Sequence, residues 1–190
     1  MSTNLEIESK ALLTKDEYDK LISNFDASKI YEQINYYIDT AFLDLRDQKC
    51  GLRIRTKNDE IELTLKVTQS EGKLEINQQI SNISLQNCLE EDLFPTGEVA
   101  DYIEQNLGIK TSYLHVLGKL ITYRLDIEYK SSLISIDKSL YNGHEDYEIE
   151  CEDDSKEVAT NNLKEFLNQF GIPFNKNKRS KLRRFLETLA

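Results

Sequence analysis

Five segments of the chain carry charged residues at every second position, and the residue types suggest chemistry. Glu6-Ile7-Glu8-Ser9-Lys10 sets two carboxylates and an ammonium on alternate positions. Arg53 and Arg55 alternate with Leu52 and Ile54, while Glu62, Thr64 and Lys66 alternate with Ile61, Leu63 and Leu65. Arg124, Asp126 and Glu128 follow the same rule, as do Glu148, Glu150 and Glu152. In an extended strand, alternate residues share a face. Paired carboxylates suit a hard divalent cation such as Mg²⁺ or Mn²⁺, and paired guanidinium groups suit bidentate contact with phosphate oxygens. A site holding both suits a metal with a polyphosphate. Taken singly, each segment also reads as an ordinary antiparallel strand with one wet face. The set as a whole, with two arginines on one strand and glutamate pairs on others, favours a shared charged interior. The seven glycines are scattered and form no phosphate-binding loop, so side chains rather than a helix N-terminus would take phosphate.

Those residues need strands to hold them. Strands are expected over about residues 4–12, 30–40, 51–57, 60–68, 73–80, 113–129, 132–138 and 145–152. Asn58-Asp59, Glu71-Gly72 and Asn142-Gly143 supply turns between consecutive strands, so the sheet is antiparallel. Thr14-Lys15-Asp16-Glu17 is a capping box that opens a helix to about Phe25. Helices are also expected over about 84–92 and 97–107, the latter closed by Gly108. A second capping box, Asp154-Ser155-Lys156-Glu157, opens a helix that ends near Phe170 with Gly171 beyond it, and a last helix runs from about Arg179 to Leu189. The fold class is α+β: an eight-stranded antiparallel closed β-barrel, or tunnel, with flanking helices. Eight strands can enclose one small ligand.

Composition narrows the function. The 190 residues fit one domain spanning 1–190, and a net charge of −10 argues against nucleic-acid or membrane-surface partners. The basic run Lys176–Arg184 then reads as a helix face plus Lys181 reaching into the interior, not a nucleic-acid patch. Cys50, Cys88 and Cys151 are isolated, with no C-x-x-C pattern, and the two histidines, His115 and His144, do not make a zinc set. This indicates a reducing, cytoplasmic setting.

The ordered set resembles the CYTH family, the triphosphate tunnel metalloenzymes. Glu6-x-Glu8-x-Lys10 resembles its N-terminal signature and Tyr36-Tyr37-Ile38-Asp39-Thr40 its tyrosine segment. Leu52-Arg53-Ile54-Arg55 resembles its double-arginine strand, and Leu63-Thr64-Leu65-Lys66 its lysine strand. Arg124, Asp137, the Glu148 and Glu150 pair, and Arg179-Ser180-Lys181 match the later motifs in order. The resemblance implies one or two Mg²⁺ or Mn²⁺ ions held by Glu6, Glu8, Asp137, Glu148 and Glu150. It implies that Lys10, Arg53, Arg55, Lys66, Arg124 and Lys181 bind the triphosphate. Lys66 and Tyr36 would assist proton transfer to the leaving oxygen, as is proposed for a similar pair in relatives. Glu62 and Glu75 are left unassigned.

The implied activity is metal-dependent hydrolysis of inorganic, nucleoside or other organic triphosphates. An adenylate cyclase making cyclic AMP from ATP, and a non-catalytic polyphosphate or nucleotide sensor, remain as alternatives. Thiamine-specific members carry a Trp just before the double-arginine strand; here that place is Gly51 and the chain has no Trp. The expected partner is a triphosphate-containing small molecule, and the sequence is also compatible with a homodimer.

Overall fold

A computed structural model describes residues 2–70 and 72–189, so the Glu71 half of the Glu71-Gly72 turn lies outside the described residues. Among them are nine strands: β1 (Ser2–Glu6), β2 (Glu8–Leu13), β3 (Tyr31–Asp39), β4 (Cys50–Lys57), β5 (Glu60–Thr68), β6 (Lys73–Gln79), β7 (His115–Tyr129), β8 (Ser132–Tyr141) and β9 (His144–Glu152). The helices are α1 (Lys15–Ile22), α2 (Asp44–Asp47), α3 (Asn82–Glu91), α4 (Glu98–Asn106), α5 (Lys156–Gln169) and α6 (Lys181–Leu186). No helix among the described residues is long and apolar enough to cross a membrane.

The antiparallel sheet and flanking helices agree with the α+β expectation, but the eight-stranded closed barrel needs correction. The hydrogen-bonding order has nine members, β1-β6-β5-β4-β3-β7-β8-β9-β2, and begins and ends on different strands. The extra strand arises at Ile7, which interrupts the expected first strand: β1 pairs with β6 and β2 with β9. At the break the Ile7 carbonyl accepts from the Asp153 amide at 3.2 Å.

The chain forms two compact units, Met1–Glu6 with Ile34–Leu120, and Ile7–Gln33 with Ile121–Ala190. Each is built on one sheet-face rule. In the first, Leu52, Ile54, Leu63, Leu65 and Ile76 form an apolar face covered by Leu85 and Cys88 of α3 and by Val99 and Ile103 of α4. In the second, Ala11, Leu13, Ile134, Ile136, Ile149 and Cys151 pack against Tyr18 and Leu21 of α1 and against α5. The α5 stripe, Ala159, Leu163, Phe166 and Leu167, has the spacing of one helical face. Burying these side chains, at about 1.5–3 kcal/mol for each large one, fixes which face each strand turns inward. A one-residue slip would reverse every charged side chain, so the helices indirectly aim the functional residues.

Local signals set the ends. The Thr14 hydroxyl accepts from the Glu17 amide at 3.2 Å, and a Glu17 carboxylate oxygen accepts from the Thr14 amide at 2.7 Å, completing the expected box. The second expected box is absent: α5 has Ser155 at its N-cap without a side-chain cap bond, and Asp154 stands one residue too early. Gly108 and Gly171 follow α4 and α5 at φ +68° and +63°, as the C′ reading requires. Gly97 has a different role. At φ +128° it precedes α4, and a Cβ there would lie 2.6 Å from the Gln78 amide atoms. That amide donates to the Thr96 carbonyl at 2.8 Å and accepts from the Val99 amide at 3.2 Å. Gly97→Ala is therefore expected to lower stability by about 2–3 kcal/mol through backbone strain and the lost cap. Urea denaturation checks this, and an unchanged midpoint would exclude it.

Candidate active site

The polar faces opposite the two cores carry the charged residues. In the second unit, register places Arg124 opposite Asp137 and Asp137 opposite Glu148, while Ser135, Glu150 and Lys10 are successive cross-strand partners in the next row. Asp137, Glu148 and Glu150 each offer a carboxylate oxygen within 4.8 Å of the others, and the side chains of Asp137 and Glu148 are 0% exposed. Three hard oxygen donors this close suit a divalent cation of the Mg²⁺ type.

Cations surround the trio. Arg124 forks onto Asp137, with Nε and one terminal nitrogen donating at 2.7 and 2.6 Å, and reaches Glu150 at 2.7 Å. Lys10 lies 3.1 Å from Glu150 and 2.6 Å from Glu8. Lys181, at the start of α6, lies 2.8 Å from Asp137, 2.6 Å from Glu148 and 2.9 Å from Glu150. Burial alone would push the Asp137 carboxyl up, but Arg124 and Lys181 reverse this and hold it below the usual range. The Glu150 carboxyl is likewise held well below its ordinary value, burial being outweighed by Lys181, Lys10 and Arg124. The same pairs hold the Lys10 and Lys181 ammonium groups above the ordinary lysine value despite their burial.

The first unit has its own polar cluster. Arg53 is opposite Thr64 and Thr64 opposite Asn77, while Lys66 is opposite Glu75. The Lys66 ammonium is 2.7 Å from Glu6 and also pairs with Glu75. Lys73 is 3.6 Å from the second Glu6 oxygen. Arg55 donates to the Asn35 amide oxygen at 2.8 Å, whereas the Arg53 Nε is buried with no hydrogen-bond partner. Burial and the nearby Arg53 push the Lys66 ammonium below the usual lysine value.

The expected site residues are thus distributed in a specific way. Asp137, Glu148 and Glu150 come together with Lys10, Arg124 and Lys181. Glu8 pairs with Lys10 and is not in the trio. Glu6 stands in the first unit with Lys66, on the polar face that also holds Arg53 and Arg55. Tyr36 is placed differently from its expected partnership with Lys66. It packs with Ile38 against the apolar cluster, on the face opposite Asn35, and by strand alternation Tyr37 takes the polar side.

Several residues in these clusters were not expected. Arg184, 7% exposed, donates to Glu148 at 2.9 Å and to Asp146 at 2.7 Å. The Asn177 side-chain amide also donates to Glu148. In the basic run Lys176–Arg184 it is thus Arg184 that departs from the helix-face reading: it turns with Lys181 to the buried carboxylates, while Arg179 and Arg183 pair with the more exposed Glu187. The i, i+3 spacing of Lys181 and Arg184 could have identified the second from the first. Asp126 accepts from the Tyr31 hydroxyl at 2.6 Å and the Ser135 hydroxyl at 2.7 Å.

The CYTH domain family matches residues 4–186. The protein named Putative triphosphatase YjbK, from Bacillus subtilis (strain 168), is 36% identical over 189 residues, covering 98% of this chain and 97% of that one. A solved structure from Bacillus halodurans, named a putative adenylate cyclase, matches with a TM-score of 0.90 and 37% identity over 97% of this chain and 99% of its own. A Hippeastrum structure, named putative adenylyl cyclase HpAC1 and said to reveal a dominant triphosphatase activity, matches with a TM-score of 0.79 and 25% identity, covering 96% of each chain.

Proposed function

The chain belongs to the CYTH domain family, and on that premise we propose that it is a divalent-metal-dependent triphosphatase. Its substrate is inorganic triphosphate or the triphosphate of a nucleoside or other organic group. The observation that carries this reading is the close trio of Asp137, Glu148 and Glu150 set among Lys10, Arg124 and Lys181. The names borne by the Bacillus subtilis and Hippeastrum relatives support it.

In this reading Asp137, Glu148 and Glu150 hold Mg²⁺ or Mn²⁺, with Glu6 and Glu8 as the further ligands the family pattern implies. When bound, the ion supplies Lewis-acid charge to the phosphoryl oxygens. Lys10, Arg124 and Lys181 turn from carboxylates to phosphate oxygens and offset the charge that develops in transfer. Arg53 and Arg55 bind and orient the phosphate chain, and Lys66 gives a proton to the leaving oxygen. A lysine whose ammonium is destabilised by burial and by Arg53 is a better acid than an exposed one.

The name of the Bacillus halodurans structure favours a second reading, an adenylate cyclase. One assay separates the two. The protein is incubated with tripolyphosphate, ATP or thiamine triphosphate, each with Mg²⁺ or Mn²⁺, and phosphate, pyrophosphate and cyclic AMP are measured. Metal-dependent phosphate release is the expected result. Cyclic AMP with pyrophosphate would replace the hydrolase by the cyclase, and tight binding without turnover would make the protein a sensor.

The phosphate role of Arg53 has its own test. Its Nε has no hydrogen-bond partner, and its charge both favours the Glu75 carboxylate and disfavours the Lys66 ammonium, so Arg53→Gln should shift the unfolding midpoint little. It should raise KM for tripolyphosphate about tenfold or more, as expected for a lost hydrogen bond to a charged group. An unchanged KM would remove Arg53 from the phosphate set.

A further inference from the structure

Resting on the metal assignment above, we propose that Lys181 is an internal counter-cation that keeps the place of the divalent ion, so that metal and triphosphate load together. Among the described residues, Lys181 is the cation that touches all three carboxylates of the trio, at 2.6–2.9 Å. The others stand around them. Arg124 contacts Asp137 and Glu150, Lys10 contacts Glu150 and Glu8, and Arg184 contacts Glu148 and Asp146. The oxygens of Glu148 are divided accordingly: one accepts from Asn177 and Arg184, and the other from Lys181.

The Lys181 ammonium, set against an oxygen of each of the three carboxylates, takes a cation position that the trio offers. An ammonium and a divalent ion cannot share it, because like charges a few ångströms apart in a poorly solvated site repel strongly. Occupying the site with metal therefore requires the Lys181 ammonium to leave.

The surrounding structure lets it leave alone. The Asn177 backbone amide donates to the Lys10 carbonyl at 2.9 Å, and the Leu12 backbone amide donates to the Asn175 carbonyl at 3.2 Å, which ties the segment before α6 to β2. Arg184 anchors α6 itself to Asp146 and Glu148. The backbone can stay in place while the flexible four-carbon stem of Lys181 swings. Its freed charge then needs an anion, and a phosphate oxygen supplies one. Metal alone displaces an ion-paired lysine at a cost, and triphosphate removes much of that cost. By linkage each ligand strengthens the other equally.

The test is Mn²⁺ binding to the full chain, followed by the electron paramagnetic resonance of the free ion, with and without non-hydrolysable imidotriphosphate. Without imidotriphosphate, Lys181→Gln should bind Mn²⁺ about tenfold more tightly than wild type, within the usual range of coupling between sites. The gain that imidotriphosphate gives wild type should largely vanish in this variant. Lys10→Gln removes the same charge from a lysine that touches Glu150 alone among the trio, and it should gain clearly less. Equal or weaker Mn²⁺ binding by Lys181→Gln overturns the exchange, as does an equal gain in Lys10→Gln. Absence of Mn²⁺ binding in all three proteins overturns the metal assignment as well. A measurement on wild type removes any dependence on the variant's folding. Mg²⁺ should raise the labelling of Lys181 by an amine-reactive reagent, read by peptide mass spectrometry, and unchanged labelling overturns the exchange.

Discussion

Glu150→Gln is expected to lower metal-dependent turnover by roughly 10³-fold or more while leaving the secondary structure intact. The amide preserves the volume of the side chain but removes one negative charge and one anionic oxygen from a three-carboxylate site. Metal-supplied charge stabilisation amounts to several kcal/mol in a transition state, and each 1.36 kcal/mol is about tenfold in rate. Glu148→Gln should do the same to turnover but with a greater loss of stability. Its side chain is 0% exposed, and both its oxygens accept from Lys181, Asn177 or Arg184. An amide can accept at one end only, so either Lys181 or the Asn177 and Arg184 pair would face an NH₂ group. Steady-state rates with tripolyphosphate, Mn²⁺ binding and far-UV circular dichroism separate these effects. Wild-type rates in either variant would remove that carboxylate from the metal set.

How much of this was legible in the sequence depends on whether the signal was local. Alternation along Leu52–Arg55 and Ile61–Lys66 correctly sorted charged from apolar faces, because a two-residue period is written into neighbouring residues and the α3 and α4 contacts enforce it. Thr14 and Glu17 were readable for the same reason, since a capping box spans four residues. Where neighbouring residues were equivalent, the local signal failed. Tyr36 and Tyr37 are adjacent and chemically alike, and which one takes the polar face is set by the parity that puts Asn35 against Arg55 and Ile38 in the core. Asp154 and Ser155 are likewise both good N-caps, and the structure uses the second.

Long-range features were hidden for a different reason. Nothing local in Leu5–Lys10 says that the chain stops pairing with β6 at Glu6 and begins pairing with β9 at Glu8, so one strand was expected where two occur. The groups around Glu148 come from residues 177, 181 and 184, far from it in sequence. Only Lys181 carried a motif. Arg184 looked like one more base in a basic run, yet its burial makes it central to the second unit.

That burial makes Arg184→Met strongly destabilising to the second unit. Arg184 donates to Glu148, to both oxygens of Asp146 and to the Arg179 carbonyl at 3.0 Å. Methionine can fill much of the space but leaves a fully buried carboxylate short of a cation. Removing one partner of a buried pair costs about 3–5 kcal/mol, mostly as the penalty on the charge left behind. For a chain of this size that corresponds to a fall of roughly 6–20 °C in Tm. If the orphaned carboxylates carry the cost, adding Asp146→Asn should recover part of it, because replacing both partners is gentler than removing one. Arg184→Lys should fall between wild type and Arg184→Met, since it keeps the charge but loses the fork that spans Glu148 and Asp146. Chemical denaturation of these proteins, with Asp146→Asn alone added to close the cycle, reads the coupling directly. An Arg184→Met variant within about 1 kcal/mol of wild type, below the cost of an unpaired buried charge, would mean that Glu148 does not depend on Arg184. Lys181 and Asn177 would then suffice to hold it.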